Sequence, residues 1–475
     1  MSIPLMPILP LIVVSAAAVA IMLIVTFYRN HRLTYLLTLA AMVLAFVTLP
    51  AVSSLLPSQV TTLLLIDGYA LFYTGLILLS ALAVALLSYD YLEGRGGNPE
   101  EYYMLLLIAT LGSIILVASS HFASFFLGLE VLSVSLYALI AYGRRPLMIE
   151  AGVKYLILAA ASVSFLLFGM ALIYAQLGTM SFSEIALKLS SAGTSALVPV
   201  VAMIMIIAGI GFKLALVPFH MWTPDVYQGA PSPIAAYIAT VSKGAVFALL
   251  LRYFAGVDLY THSSLFVVFT ILAIASMFTG NLLALFQENI KRLLAYSSIA
   301  HLGYLLVAFL SSGPLRVTAV TFYLVAYFVM TLGAFGVVTV LSGKERDAEQ
   351  IEDYYGLFAR RPGLAAIFTV MLLSLAGIPL TAGFIGKFYL VAAGVGSALW
   401  LLVIILLVNS TIGLFYYIRV IAVMYVRKPA LEAAVPAGLL TGGLVLAALL
   451  VVLVWLGVYP TPVLEMIQAI KLGAG

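Results

Sequence analysis

The stretch LAGIPLTAGFIGKF, residues 375–388, decides the fold. It lies inside an apolar run long enough to cross a bilayer, which takes about 20 residues as a helix. Yet it holds Pro379, which removes a helix hydrogen bond and clashes with the preceding turn. It also holds Gly377, Gly383, Gly386 and the cation of Lys387. Non-helical backbone survives at membrane depth only where protein or a water-filled cavity satisfies its freed polar groups. The segment therefore reads as a broken membrane helix beside a buried polar site. GFKLALVPFHMW, residues 211–222, repeats the pattern, with Lys213 five residues before Pro218.

The rest of the chain sets these two segments in a membrane. Of 475 residues, 64% are apolar and 8% charged, with a mean hydropathy of +1.21; soluble domains are roughly 45–50% apolar and 25% charged. The expected fold is an all-α polytopic membrane protein. Fourteen apolar stretches are candidate spans, near residues 5–27, 33–55, 69–89, 103–119, 122–142, 153–176, 195–227, 232–254, 264–287, 292–311, 317–342, 363–391, 398–426 and 435–458. The N-terminus lacks a basic leader region, so its first apolar run is expected to be a retained span.

Charge in the loops tests this count, because cytoplasmic loops carry the excess of Lys and Arg. One alternate set holds Arg29, Arg32, Arg95, Arg144, Arg145, Lys291, Arg292, Lys344, Arg346, Arg360, Arg361, Arg427 and Lys428. The other holds only Lys188, Arg252, Arg316 and Lys471. This assigns the cytoplasmic side and turns both termini outward. Pro218 and Pro379 are 161 residues apart, about five spans at the chain's average spacing, so the two segments cross in opposite directions, as an inverted repeat requires. The expected organisation is an N-terminal three-helix segment over 1–100, a first repeat of spans four to eight over 101–258, an inverted second repeat of spans nine to thirteen over 259–430, and span fourteen over 431–475.

Five basic residues fall inside spans: Lys154, Lys213, Lys243, Lys387 and Arg419. A lysine at the centre of a spanning helix costs roughly 2.5–3.5 kcal/mol to insert, so it normally faces a polar interior. Glu130, in GLEVLSVSLY, is the acidic counterpart, with Ser133 and Tyr137 on the same helix face. Ion pairs that merely fix helix packing are one reading. One acid cannot neutralise several bases, however, and unpaired buried amines become exchangeable proton carriers. A proton relay is the better reading. On a regular helix Lys243 shares a face with Thr240, Ala239, Ala236 and Ser232, which leaves room for water. His220 and His301 could extend the relay, since imidazole accepts and donates near neutral pH; each could equally be a hydrogen-bonded packing residue.

Other chemistries lack their residues. The chain has no cysteine, so it offers no thiolate to an iron–sulfur cluster. The 5 histidines are dispersed without zinc-ligand spacing, and neither a P-loop nor a dinucleotide-binding glycine motif occurs. A net charge of +4 is explained by the loop bias and points to no nucleic acid. The loop KERDAEQIEDYYGLFARR, residues 344–361, is expected to be a solvated connection, with partner docking as the minor alternative. SFSEIALKLS, residues 181–190, reads as a short interfacial helix.

The runs DGYALFYTGL, FLGLEVLSVSLYALIAY, FKLALVPFHMWTPDVYQGAPSP, NIKRLLAYSSIAHLGYLL and LSLAGIPLTAGFIGKFYL resemble the subunit N family of the bacterial proton-pumping NADH-quinone oxidoreductase, respiratory complex I. The likeness covers nearly the whole chain, and TPDVYQGAPSP sets it apart from the related subunits L and M and the antiporters. The resemblance implies fourteen helices with two inverted five-helix halves, each with a broken helix at Pro218 or at Gly377, Pro379 and Gly383. It implies a relay of Glu130, Lys213, Lys243 and Lys387, with Lys154 matching a sixth-helix lysine. It further implies a multi-pass protein of the bacterial inner membrane, next to subunits M, K and J and in contact with lipid. FMN, iron–sulfur clusters and quinone are expected in partner subunits of the complex, with the NADH-oxidising arm reached indirectly and no cofactor in this chain. A cation/proton antiporter and a purely structural scaffold are the alternatives.

Overall fold

A computed structural model describes residues 5–143, 145–191, 197–257, 259–260, 262–426 and 439–470. Arg144, Arg427, Lys428 and Lys471 lie outside the described residues. Among those described, 13 helices are long and apolar enough to cross a membrane. Two shorter apolar helices, Pro362–Ala376 and Ala382–Gly396, follow one another across the break at Pro379. Together they make one broken span, the twelfth, so the described residues hold the fourteen spans expected from sequence. The seventh is also broken: its helix Leu197–Leu214 stops before Pro218, and a short helix, Trp222–Gly229, follows.

Span starts follow local chemistry. Asn30, Asp67, His121 and Asn289 each accept a backbone N–H of the helix they precede, which satisfies donors that a helix leaves free. Pro99, Pro146 and Pro362 occupy first-turn positions, where the missing N–H costs nothing.

The inverted repeat is visible in the backbone. Phe122 N donates to Met180 O and Phe182 N to Ser120 O, both at 3.0 Å, at the start of span five (Phe122–Ile140). At the start of span ten (Ile290–Phe309), Ile290 N donates to Glu349 O at 2.6 Å and Ile351 N to Glu288 O at 2.9 Å. The two clasps are alike bond for bond. Their stagger is 168 residues between 122 and 290 and 169 between 182 and 351. Five spans separate them, so they lie at opposite ends of the bundle. Packing repeats in the same way: span four lies on five as nine lies on ten, six on seven as eleven on both halves of twelve, and eight on four as thirteen on nine. Spans one to three and fourteen flank this pair, with fourteen seated between three, eleven and twelve.

Span eight, Ser232–Tyr253, runs through the middle and is 100% buried inside the protein over its apolar window, whereas span six, Pro146–Leu177, is 33% buried and offers Ile157, Phe165 and Phe168 to the surroundings. Span eight also carries a π-turn at Ile238–Ser242, immediately before Lys243. A π-turn inserts a residue into the helix and marks functional sites with some frequency. It rotates Lys243 away from the regular helix face expected with Ser232 and Ala236.

The loop over 344–361 is not the plain solvated connection expected. Asp347 within it is buried, and its carboxylate accepts from Arg95 at 2.9 Å, Lys291 at 2.9 Å, Ser232 at 2.6 Å and Tyr91 at 2.8 Å. The loop's charge folds inward because spans three, eight and ten each end there in a donor. Burial pushes the Asp347 carboxyl up, but Lys291, Arg95 and the Ser232 hydroxyl outweigh it and hold the group well below the usual carboxylate range. At the opposite end, buried Arg252 makes a two-pronged contact with Asp67 at 2.7 and 3.0 Å.

Candidate functional site: a buried row of amines and hydroxyls

Lys213, 3% exposed, projects from the last turn of its half-helix toward span five. Its Nζ donates to Ser133 Oγ at 2.6 Å and reaches Tyr155 OH at 3.5 Å, over the Tyr155 ring. Glu130 stands one turn before Ser133; its Oε1 is buried without a hydrogen-bond partner, and no carboxylate lies within ion-pair distance of Lys213 among the described residues. The Tyr155 ring meets Trp222 at 4.8 Å, and Trp222 in turn lies 5.9 Å from the Lys243 ammonium.

Lys243, 1% exposed, donates to Ser298 Oγ at 2.7 Å, and Tyr327 OH donates to the same oxygen at 2.8 Å. The Tyr227 ring sits 5.2 Å from this ammonium. One turn beyond Ser298, His301 bonds Tyr323 OH through Nδ1 at 2.7 Å and Tyr417 OH through Nε2 at 3.3 Å, and Tyr417 pairs with Ser297. His301 meets the ring of Tyr304 at 5.4 Å, and Tyr304 lies 5.3 Å below the ammonium of Lys387. The row thus runs through both repeats from Glu130 to Lys387.

Lys387 closes the break in span twelve. Its Nζ donates to Leu375 O at 3.0 Å, Ala376 O at 2.8 Å and Ser410 Oγ at 2.8 Å. These carbonyls end the half-helix Pro362–Ala376, where a cation suits the helix dipole. Gly377 takes φ +86°, and an added Cβ would stand 2.7 Å from Lys387 Cδ; a Cβ on Gly383 would collide with the Ser374 carbonyl. Leu380 (φ 69°) and Ala215 (φ 60°), one in each break, hold left-handed conformations that cost a side-chain-bearing residue about 1–3 kcal/mol and cluster at functional sites. In span seven, the carbonyl of Phe212 is taken by Trp222 Nε1 at 2.9 Å and that of Gly211 by Leu216 N at 2.8 Å, while Val217 N donates to Ser276 Oγ at 3.0 Å.

Two sequence candidates stand apart from the row. Lys154 is 43% exposed at its side chain and pairs with Glu150 at 2.7 Å and Asp225 at 2.9 Å. His220 lies beside Pro218 with Nδ1 unpartnered, and no ring contact or side-chain hydrogen bond joins it to the row among the described residues. Tyr155, Trp222, Ser298, Tyr323, Tyr327, Tyr417 and Ser410 were not among the candidates. A signal existed: the chain has 27 tyrosines against 26 phenylalanines, and Ser298 precedes His301 by one helical turn. Among the described residues no group of acids and histidines could hold a metal ion.

Residues 119–413 match the family described as NADH:quinone oxidoreductase/Mrp antiporter, transmembrane. The chain is 48% identical to NADH-quinone oxidoreductase subunit N of Ectopseudomonas mendocina over 98% of this chain and 96% of that one. It is 52% identical to the subunit N of Nitrosospira multiformis over 98% and 95%. The chain belongs to the subunit N family of NADH-quinone oxidoreductases. A solved structure of respiratory complex I from Thermus thermophilus contains a chain that superposes with a TM-score of 0.83 at 32% identity, over 98% of this chain and 100% of that chain. Subunit N family membership accounts for the fourteen spans and the paired breaks. It makes this chain one membrane subunit of a larger enzyme complex.

Proposed function

We propose that this subunit carries protons along the row from Glu130 through Lys213 and Lys243 to Lys387, driven by electron transfer from NADH to quinone in partner subunits. The observation that supports this best is the partnering of the amines. Lys213, Lys243 and Lys387 are all buried, yet each is held by hydroxyls or carbonyls and none by a carboxylate within 4 Å among the described residues. Such an amine can give up its proton without stranding a buried carboxylate, which a fixed ion pair cannot.

In this reading, approach of Glu130 stabilises protonated Lys213, and separation releases the proton toward Lys243. Ser298, Tyr327 and His301 carry it on toward Lys387. Moving one charge against a membrane potential costs about 2.3 kcal/mol per 100 mV, so the energy comes from the complex. FMN, iron–sulfur clusters and quinone belong to partner subunits; M, K and J are the proposed membrane neighbours. The protein sits in the bacterial inner membrane with both termini outward, a setting that the loop-charge bias supports.

Purified complex in proteoliposomes tests the reading: Lys213→Ala and Glu130→Gln should lower protons moved per NADH while the complex assembles and still reduces quinone. Unchanged translocation in both variants would overturn it. The family's other branch favours a second reading, cation/proton exchange, which predicts sodium-dependent proton movement without any quinone reaction.

A further inference from the structure

Beyond Lys387 a second buried polar cluster turns away from the row. Asn281 of span nine (Ser263–Leu285) and Asn409 of span thirteen (Trp400–Tyr425) are both 0% exposed. Asn281 Nδ2 donates to Tyr304 OH at 2.9 Å, to Met277 O at 2.9 Å and toward Asn409 Oδ1 at 3.3 Å; its Oδ1 accepts from Tyr416 OH at 3.1 Å. Asn409 Nδ2 is used by Ile405 O at 3.0 Å. The pair is thus bonded on every side.

Its position gives it meaning. Tyr304 lies directly under the Lys387 ammonium. On the other side, Tyr416 is one helical turn from Arg419, which donates to Leu285 O at 2.9 Å and to Gln287 O at the charge-rich end of the bundle. Asn281 itself is one turn from that end, at Leu285. Tyr304, Asn281 and Tyr416 therefore form the short way from the last lysine to the charge-rich face. Hydroxyls can pass a proton by accepting one and releasing another. A carboxamide neither binds nor releases a proton near neutral pH, and here its N–H occupies the Tyr304 oxygen.

We propose that Asn281, seconded by Asn409, is a proton insulator that closes the route from Lys387 to the charge-rich face. It rests on the relay reading above and adds to it a specific barrier against back-flow. By the stagger that relates the repeats, Asn281 corresponds to Ser113, which approaches Tyr237 OH at 3.5 Å; no hydrogen bond leads from there to Lys213 among the described residues. The amide is found in the half that holds the terminal lysine.

The test uses the assembled complex in proteoliposomes, carrying Asn281→Asp, Asn281→Leu or Asn409→Asp. Two quantities are read: passive decay of an imposed pH gradient without NADH, and protons moved per NADH. Asn281→Asp places a titratable carboxyl between Tyr304 and Tyr416, so decay should be several-fold faster and net pumping lower. Asn281→Leu fills the space without a carrier and should hold the gradient like the parent. Should Asn281→Asp fail to assemble, Asn409→Asp gives the same reading. Gradients as tight as the parent's in the aspartate variants overturn the proposal, as does an Asn281→Leu complex as leaky as Asn281→Asp. A Lys387→Met complex in the same vesicles separates the two ideas: normal pumping there removes the relay reading, whereas defective pumping beside tight aspartate variants removes only the insulator.

Discussion

The Lys387 ammonium donates to the Ala376 carbonyl at 2.8 Å, so the amine proposed to carry protons also ends the half-helix in front of it. An ammonium has three N–H donors, and here there are three acceptors: Leu375 O, Ala376 O and Ser410 Oγ. Loss of the proton removes one donor. Protonation at this site is thereby tied to how the break in span twelve is held. Lys387→Arg should keep the half-helix capped but lower proton transfer, because arginine does not deprotonate in proteins. Lys387→Met should lose both, seen as faster amide exchange across residues 375–383 and reduced protons per NADH.

Ser298 accepts from Lys243 and Tyr327 at once. A hydrogen bond to a charged group contributes about 1.5–3 kcal/mol, so Ser298→Ala should slow a transfer through Lys243 about tenfold or more. Ser298→Thr keeps the hydroxyl and should restore most of the rate. Pumping under a jump in NADH distinguishes the two, and equal defects would argue for packing alone.

Gly383 has no room for a methyl group, since Ser374 O fills the place of its Cβ and Ser374 Oγ accepts its N–H at 3.0 Å. Gly383→Ala should destabilise the break by about 3 kcal/mol, lowering the yield of assembled complex, whereas Gly363→Ala, with nothing within 4 Å, should assemble normally.

Asp347 predicts both a mutant and a pH response. Asp347→Asn leaves Lys291 and Arg95 buried without their counter-charge, a loss of about 3–5 kcal/mol, measurable as a lower temperature of unfolding for the detergent-purified complex. The sign with pH follows from the depressed carboxyl. Its contribution is complete above the ordinary aspartate value of about 3.9 and disappears only as pH falls through the still lower value of the folded protein. Acid should therefore open this end of the bundle only well below pH 4.

Much of the fold was legible in the sequence because hydrocarbon enforces a simple rule: about twenty apolar residues per crossing, with basic loops on one side. Pro218 and Pro379 marked both breaks, and the odd number of spans between them gave the inversion. What the sequence did not disclose was partnering across distant helices. Lys243 meets Ser298 from a helix that has just passed through a π-turn at Ile238–Ser242, and no periodicity shows such a turn. Asp347 lay in a stretch whose charge suggested water; its burial depends on Arg95, Lys291 and Ser232 converging from three separate spans. Lys154 looked like its neighbours in composition, yet Glu150 at i−4 was a visible partner for it.

The complete enclosure of Ser232–Tyr253 has a consequence for biogenesis. This crossing contains Lys243 and carries Arg252 in its last turn, which makes it poorly suited to lipid, and in the finished molecule lipid never touches it. While the ribosome is still making the second half, its eventual neighbours from spans ten and eleven do not yet exist. The newborn segment must wait beside the translocation machinery or borrow shelter from spans four and five until the later helices arrive to wrap it.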